Sequence, residues 1–167
     1  TQSTDLPITT NLGPGFFVAR LSPDLTSLDF LTTVGTHPSA RPTDVAVDPS
    51  GAITAVGTAD LAALPLTPGA YDTTFNGVTD GIVLRLDPSG SFVQWATYLG
   101  SFHVDFVRAV QVDAAGSVLV AGHTRSLTFP TTPGCFAPAK ASAGNGIDDF
   151  VARLSPDGGA LWYSTFL

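Results

Sequence analysis

The chain has no glutamate, no methionine, one lysine (Lys140) and one cysteine (Cys135) among its 167 residues. A single cysteine cannot close an internal disulfide, so the fold is not disulfide-stapled. Residues that favour exposed helix positions are nearly missing, whereas Thr, Val, Phe, Gly and Pro are plentiful. That is a β-and-turn composition. The apolar runs are short, far below the ~20 residues of a membrane-spanning helix, which argues against membrane insertion. All 14 acids are Asp and the net charge is −7. Such a chain offers no basic face to phosphates, which argues against nucleic acid as a partner. The sequence carries no initiator Met and no charged-then-apolar leader. It is therefore expected to have lost a signal segment or to be an internal piece of something longer. Low lysine and abundant Thr and Ser fit a secreted, periplasmic or cell-surface protein.

What the chain does have is a motif stated three times. Phe17-Val-Ala-Arg-Leu-Ser-Pro-Asp24 returns as Ile82-Val-Leu-Arg-Leu-Asp-Pro-Ser89 and as Phe150-Val-Ala-Arg-Leu-Ser-Pro-Asp157. A repeat of this length built from short β-type runs indicates one supersecondary unit copied along the chain. Val107–Asp113 and Ser117–Thr124 alternate as two strands around Ala114-Ala-Gly116, and Thr43–Asp48 and Ala52–Thr58 do so around Pro49-Ser-Gly51. Asp-x-x-Gly between apolar runs is hairpin chemistry. A second hairpin pairs each copy of the opening motif with Phe30–Gly35, Trp95–Gly100 or Ala160–Leu167. Each full unit is thus four antiparallel strands, termed a to d. No proline is expected inside a strand core. Thr1–Thr10 aligns with Thr124–Pro133, which places the start of the chain just after a b strand. The expected organisation is a half unit over residues 1–36 (c and d) and complete units over 37–100 and 101–167.

Four-stranded antiparallel units in series are the blades of a β-propeller. Ala96-Thr-Tyr-Leu-Gly100, Arg108–Gly116, Val118-Leu-Val-Ala-Gly122, Phe129-Pro-Thr-Thr-Pro-Gly134 and Phe150–Gly158 together resemble the bacterial β-propeller repeat family known as SBBP. The resemblance covers essentially the whole chain. It implies secreted or surface-exposed bacterial proteins with binding or structural roles. The chain departs from the family where Gly100-Ser-Phe-His-Val-Asp105 stands in place of a glycine-rich stretch ending in two aspartates. An open stack or solenoid of the same sheets is the alternative architecture. Propellers close with about four to eight blades, so two and a half need a longer chain or further subunits.

Tight a–b and c–d turns at one end and long connections (Ala59–Asp80, Arg125–Asp149) at the other predict one plain face and one decorated face, with any binding on the latter. Its candidate residues are His37, Arg41, Tyr71, Phe75, Asp80, His103, Asp105, Phe136, Asp148 and Asp149. His37 and His103 lie in d–a loops near Arg41 and Asp105, where a metal or acid–base pair could form. Asp80 and Asp148, with Asn76 and Asn145 upstream, could ligate Ca²⁺ or simply tie loop to strand. Tyr71 and Phe136 follow Thr-Pro-Gly turns, as edge covers or as platforms for sugar or peptide. His123 is expected to be structural. The strand-c arginines Arg20, Arg85 and Arg153 are expected to pair with an Asp or a carbonyl between units. No catalytic set and no obligatory cofactor emerges. The leading reading is a non-catalytic extracellular scaffold that binds a protein or glycan partner. A glycan-directed enzyme domain, with Asp105, Asp148 and Asp149 as its candidate acids, is one alternative. A permanent subunit of a multi-protein complex is another.

Overall fold

The structure, a computed structural model, describes residues 9–167. The alignment of Thr1–Thr10 with the later copy falls mostly outside the described residues. Among the described residues, eleven strands form three sheets and there is no helix. The first holds β1 (Thr10–Leu12), β2 (Phe16–Leu21) and β3 (Leu28–Val34) in the order β1-β3-β2. The second is a meander of β4 (Ala40–Val47), β5 (Ile53–Ala59), β6 (Asp80–Leu86) and β7 (Val93–Leu99). The third is the meander of β8 (Asp105–Val112), β9 (Val118–Thr124), β10 (Asp148–Leu154) and β11 (Leu161–Phe166). The ten expected strands a to d are present. No described helix is long and apolar enough to cross a membrane.

Two details differ from the sequence reading. First, β1 is an extra strand, paired in parallel with β3 from Thr10↔Thr32 to Leu12↔Val34. Second, Pro42 lies inside β4. The register shifts there between Pro42 and Asp44, and β4 is an edge strand, so the proline removes no ladder bond the sheet needs. The same bulge recurs in β8 between Val107 and Ala109.

The turns form as their chemistry requires. Gly51 and Gly116 take φ of +84° and +85°, and each donates its N–H back to the carbonyl of the turn aspartate, Asp48 or Asp113. The three c–d pairs share one irregularity, a register shift just after Arg20, Arg85 and Arg153.

The sheets stack face to face in chain order. Phe16, Phe30 and Val34 of the first sheet pack on Ile53, Ala55, Ile82, Leu84 and Tyr98 of the second. Val56, Val83, Trp95 and Leu99, on the opposite face of the second, pack on Val110, Val118, Val120, Phe150, Leu154 and Phe166 of the third. Every sheet therefore has a leading face toward its predecessor and a trailing face toward its successor. Period-2 alternation assigns residues to the two faces.

Candidate functional site

The long connections do not decorate one end of the stack; they run back along the outer strand of their own sheet. Thr9 donates its N–H to the Leu31 carbonyl at 2.9 Å, and its hydroxyl accepts from Leu31 N–H. Thr132 does the same with Ser164, and the Thr67 hydroxyl accepts from Ala96 N–H. Leu31, Ala96 and Ser164 are equivalent positions of β3, β7 and β11. Downstream, Tyr98 N–H donates to Asp72 O at 3.0 Å and Phe166 N–H to Ala137 O at 3.1 Å. These contacts satisfy an edge that would otherwise be open to pairing. The length of the loops is explained by a structural task.

That task places most of the candidate residues. Phe75 sits edge-on to Tyr98, with ring centroids 5.9 Å apart, in the first core. Tyr71 packs against the second core, and burial raises its pKa. Asp148 accepts the N–H groups of Ala141 and Ser142, and the bonds from Ser142 hold its carboxyl below the usual range. Asp80 accepts Asn76 N–H at 2.7 Å in the same way. Both therefore tie loop to strand. Arg41 pairs with Asp60 at 2.9 Å in solvent, and His37 Nδ1 accepts Ser39 N–H. Asp149 and Phe136 are exposed. His123 stacks on Phe106 at 4.8 Å; burial, then Arg108, keep its pKa low.

One constellation does assemble, where the second and third sheets meet. Asp105 accepts from Ser101 N–H at 2.7 Å, from the Ser126 hydroxyl at 2.8 Å and from the Thr124 hydroxyl. Asp80 is wholly buried beside it, and its Oδ1 has no hydrogen-bond partner. Burial pushes Asp80 up to about 6 and raises Asp105. Gly100 lies against both carboxyls: a Cβ there would come within 2.8 Å of Asp80 Oδ1 and 2.9 Å of Asp105 Oδ2. His103, whose backbone N–H donates to Ser126 Oγ at 3.0 Å, also lines a surface groove of about 300 Å³ with Phe102, Arg125 and Leu127. His37 and Arg41 belong to the other joint. Among the described residues, no group of three or more His, Cys or Asp side chains converges as a metal site would.

The trailing faces bring the strand-c arginines together with aromatics that were not among the candidates, Phe30, Trp95 and Tyr163. Arg85 on β6 donates to Asp48, to Gln94 at 3.0 Å and to Thr54 at 3.3 Å, all beneath the third sheet. Trp95 beside it is 4% exposed, donates Nε1–H to Pro156 O at 2.9 Å, and covers Gly158. The first joint repeats this arrangement. Phe30 covers Gly90, and Arg20 donates to Pro88 O at 3.1 Å. The expected pairing between units holds only for Arg20, at Pro88 O; Asp29, Asp48 and Asp113, the aspartates that meet Arg20, Arg85 and Arg153, each lie in the arginine's own sheet. In the third sheet the same positions stand in solvent. Arg153 and Asp113 pair at 2.5 Å with both side chains over 40% exposed, and Tyr163, the counterpart of Trp95, is 38% exposed. Leu119 and Phe136 are exposed, although their counterparts Thr54 and Tyr71 are covered. The signal was present in the repeat: aligning strand d by the Arg-facing position puts Tyr163, not Trp162, over Trp95.

The chain matches no protein-family model and no curated protein.

Proposed function

We propose that this chain is a non-catalytic structural module of propeller-type blades, of the kind its repeat resembles. Its task is to dock a further blade-type sheet on the trailing face of its third sheet. One observation carries this reading. Trp95, Arg85 and Val83 are buried by the succeeding sheet, whereas Tyr163, Arg153 and Val151, at the same positions one unit later, lack such a cover. An apolar face with Leu119, Val151 and Tyr163 around a paired Arg153 is ready for the kind of neighbour its predecessor has. A secreted or envelope scaffold assembled from such units, in one chain or several, fits the acidic, lysine-poor composition.

The joint also specifies the partner. Trp95 and Phe30 each press on a turn glycine, Gly158 or Gly90, at a place where a Cβ would lie 2.4–2.6 Å from the ring. The docking sheet therefore needs glycine in its c–d turn. The chain's own first sheet has Leu25 at that position, with φ +60°. Head-to-tail stacking of identical copies would drive Tyr163 into that side chain, so the partner is a different sheet.

The test is to extend the chain after Leu167 with a second copy of residues 100–167, which follow Leu99 in the native order. A docked fourth sheet adds a nearest-neighbour interface and raises the unfolding temperature by about 5 °C or more. Replacing the appended glycine that corresponds to Gly158 with leucine abolishes the gain. An appended sheet that leaves the unfolding temperature unchanged would overturn the proposal.

A further inference from the structure

The opposite end of the stack has a second unfilled place, and it differs in kind. In the second and third sheets, strand c pairs on both edges: β6 with β5 and β7, and β10 with β9 and β11. In the first sheet β2 pairs only with β3 among the described residues. Beside its open edge lies a groove of about 390 Å³ between β2 and β4, lined by Phe17, Ala19, Val45, Val47 and Ala55. Val45 and Val47 are 55% and 63% exposed, whereas Val110, the counterpart of Val45 in the next unit, is 6% exposed. What covers Val110 is the β4–β5 hairpin, through Ala46 and Val56 and through Asp44, whose carboxylate accepts Val110 N–H at 2.9 Å.

Arg20 gives the chemistry of the missing group. Arg85 reaches Asp48 and Arg153 reaches Asp113, each the aspartate of the a–b turn that pairs with its own strand. Arg20 keeps the Nε contact that Arg85 makes, while its Nη1 turns to the next sheet, whereas Arg85 Nη1 donates to Thr54 of its own sheet. Arg20 Nε donates to Asp29 at 3.1 Å, where Arg85 Nε donates to Gln94, and Arg20 Nη1 donates to Pro88 O. Among the described residues no turn aspartate meets its Nη2.

We infer that the β2 edge and its groove accept one β-hairpin of the repeat's own a–b type, whose Asp-x-x-Gly turn supplies a carboxylate to Arg20 while small and β-branched residues cover Val45 and Val47. Backbone pairing along β2 supplies affinity, and the alternate side chains supply register. The register follows from the second sheet. Ala55 faces Leu84 there, so the same residue of an incoming hairpin faces Ala19. This site lies at the other end of the stack from the docking face of the third sheet and does not depend on it.

The probe is a synthetic, dye-labelled peptide of residues 40–59 of this chain, titrated into the full 167-residue protein. Anisotropy shows saturable binding. Arg20→Ala in the protein weakens it about tenfold, as does Asp48→Ala in the peptide. The two changes together cost no more than either alone, because they remove one contact. A covalent trap gives an independent measurement. In a Cys135→Ala background, Ala19→Cys cross-links to a peptide bearing Ala55→Cys. Peptides bearing Thr54→Cys or Val56→Cys, which point to the other face, do not cross-link. Tyr163→Asp leaves both readouts unchanged, which separates this site from the docking face. Absence of saturable binding would overturn the inference, as would additive effects of the two substitutions or cross-linking indifferent to register.

Discussion

The trailing faces of the second and third sheets carry the same device in two states. On the second sheet, Trp95 lies over Gly158 and Arg85 is enclosed with Asp48, both sealed by the next sheet. On the third, Tyr163 and the Arg153–Asp113 pair hold the same places in water. Their comparison separates what a strand's own sequence determines from what a neighbour adds. The hydrogen-bonded arginine forms on both faces, so it is a property of the single unit. The burial that gives it energetic weight belongs to the joint.

The largest test of that distinction is a matched truncation. Trp95→Ala is expected to cost about 3–5 kcal/mol, because it empties a packed joint and leaves Pro156 O without its donor. Tyr163→Ala is expected to cost under about 1 kcal/mol. Urea-unfolding midpoints on the two variants measure the gap, and equal losses would break the comparison. Close behind comes the ion pair. Asp48→Ala strands the Arg85 guanidinium in a closed joint and is expected to cost about 3 kcal/mol. Asp113→Ala, at an exposed pair, is expected to cost only about 1 kcal/mol, from the turn hydrogen bonds of Ala115 and Ser117 rather than from the ion pair.

A third prediction sets the two joints against each other. Asp80 and Asp105 lie buried in the second; Gly15 and Ala40 stand at those positions in the first. Burial raises both carboxyls, Asp80 to about 6 from an ordinary 3.8. Between those two values the folded chain holds a proton that the unfolded chain has released, so stability falls as pH rises through the window. Below it the opposite sign takes over. Asp48 and Asp87 have lowered values, from hydrogen bonds that outweigh their burial, and their contribution is lost on acidification. Stability is therefore expected to peak near pH 4–5. Asp80→Asn should flatten the descending limb and raise stability at pH 7 by up to about 3 kcal/mol. Thermal unfolding across pH 3–8 measures this, and a variant with an unchanged profile would show that the buried pair does not govern it.

How much of this was legible beforehand follows from the range of the interactions. The strand-c motif, the Asp-x-x-Gly turns and the ten strands are local, written in alternation and turn chemistry, and they were readable. The course of the long loops was not. It depends on Thr9, Thr67 and Thr132 reaching β3, β7 and β11 across 22 to 32 residues, and no local pattern announces that. Tyr71 and Phe136 were readable only as edge covers or platforms, because which of them is covered depends on the sheet beyond it. The rule against proline holds for regular ladders and puts Pro42 outside the strand; the edge bulge relaxes it. That the first unit has only strands c and d, and that the units do not close, was legible in the repeat; the groove beside β2 and the exposed trailing face of the third sheet became visible only by comparing one unit with the next in three dimensions.

The smallest expected effect tests the comparison at its most local point. Leu25, Gly90 and Gly158 occupy one position of the c–d turn, at φ of +60°, +69° and +69°. A left-handed backbone costs a leucine roughly 1–2 kcal/mol that glycine does not incur. At Gly90 and Gly158 glycine is doubly required, since an aromatic ring lies where a Cβ would stand. At Leu25, 73% exposed, no ring presses on the turn, and only the backbone term remains. Leu25→Gly is therefore expected to stabilise the protein by about 1 kcal/mol, less whatever extra entropy glycine gives the unfolded chain. Gly158→Ala, at the same φ, should destabilise by more than that, because the Trp95 ring must move. A loss at Gly158 clearly larger than the gain at Leu25, read from unfolding midpoints, would show that the neighbouring sheet adds to what the turn itself requires of glycine. Equal and opposite magnitudes would instead assign the whole effect to φ.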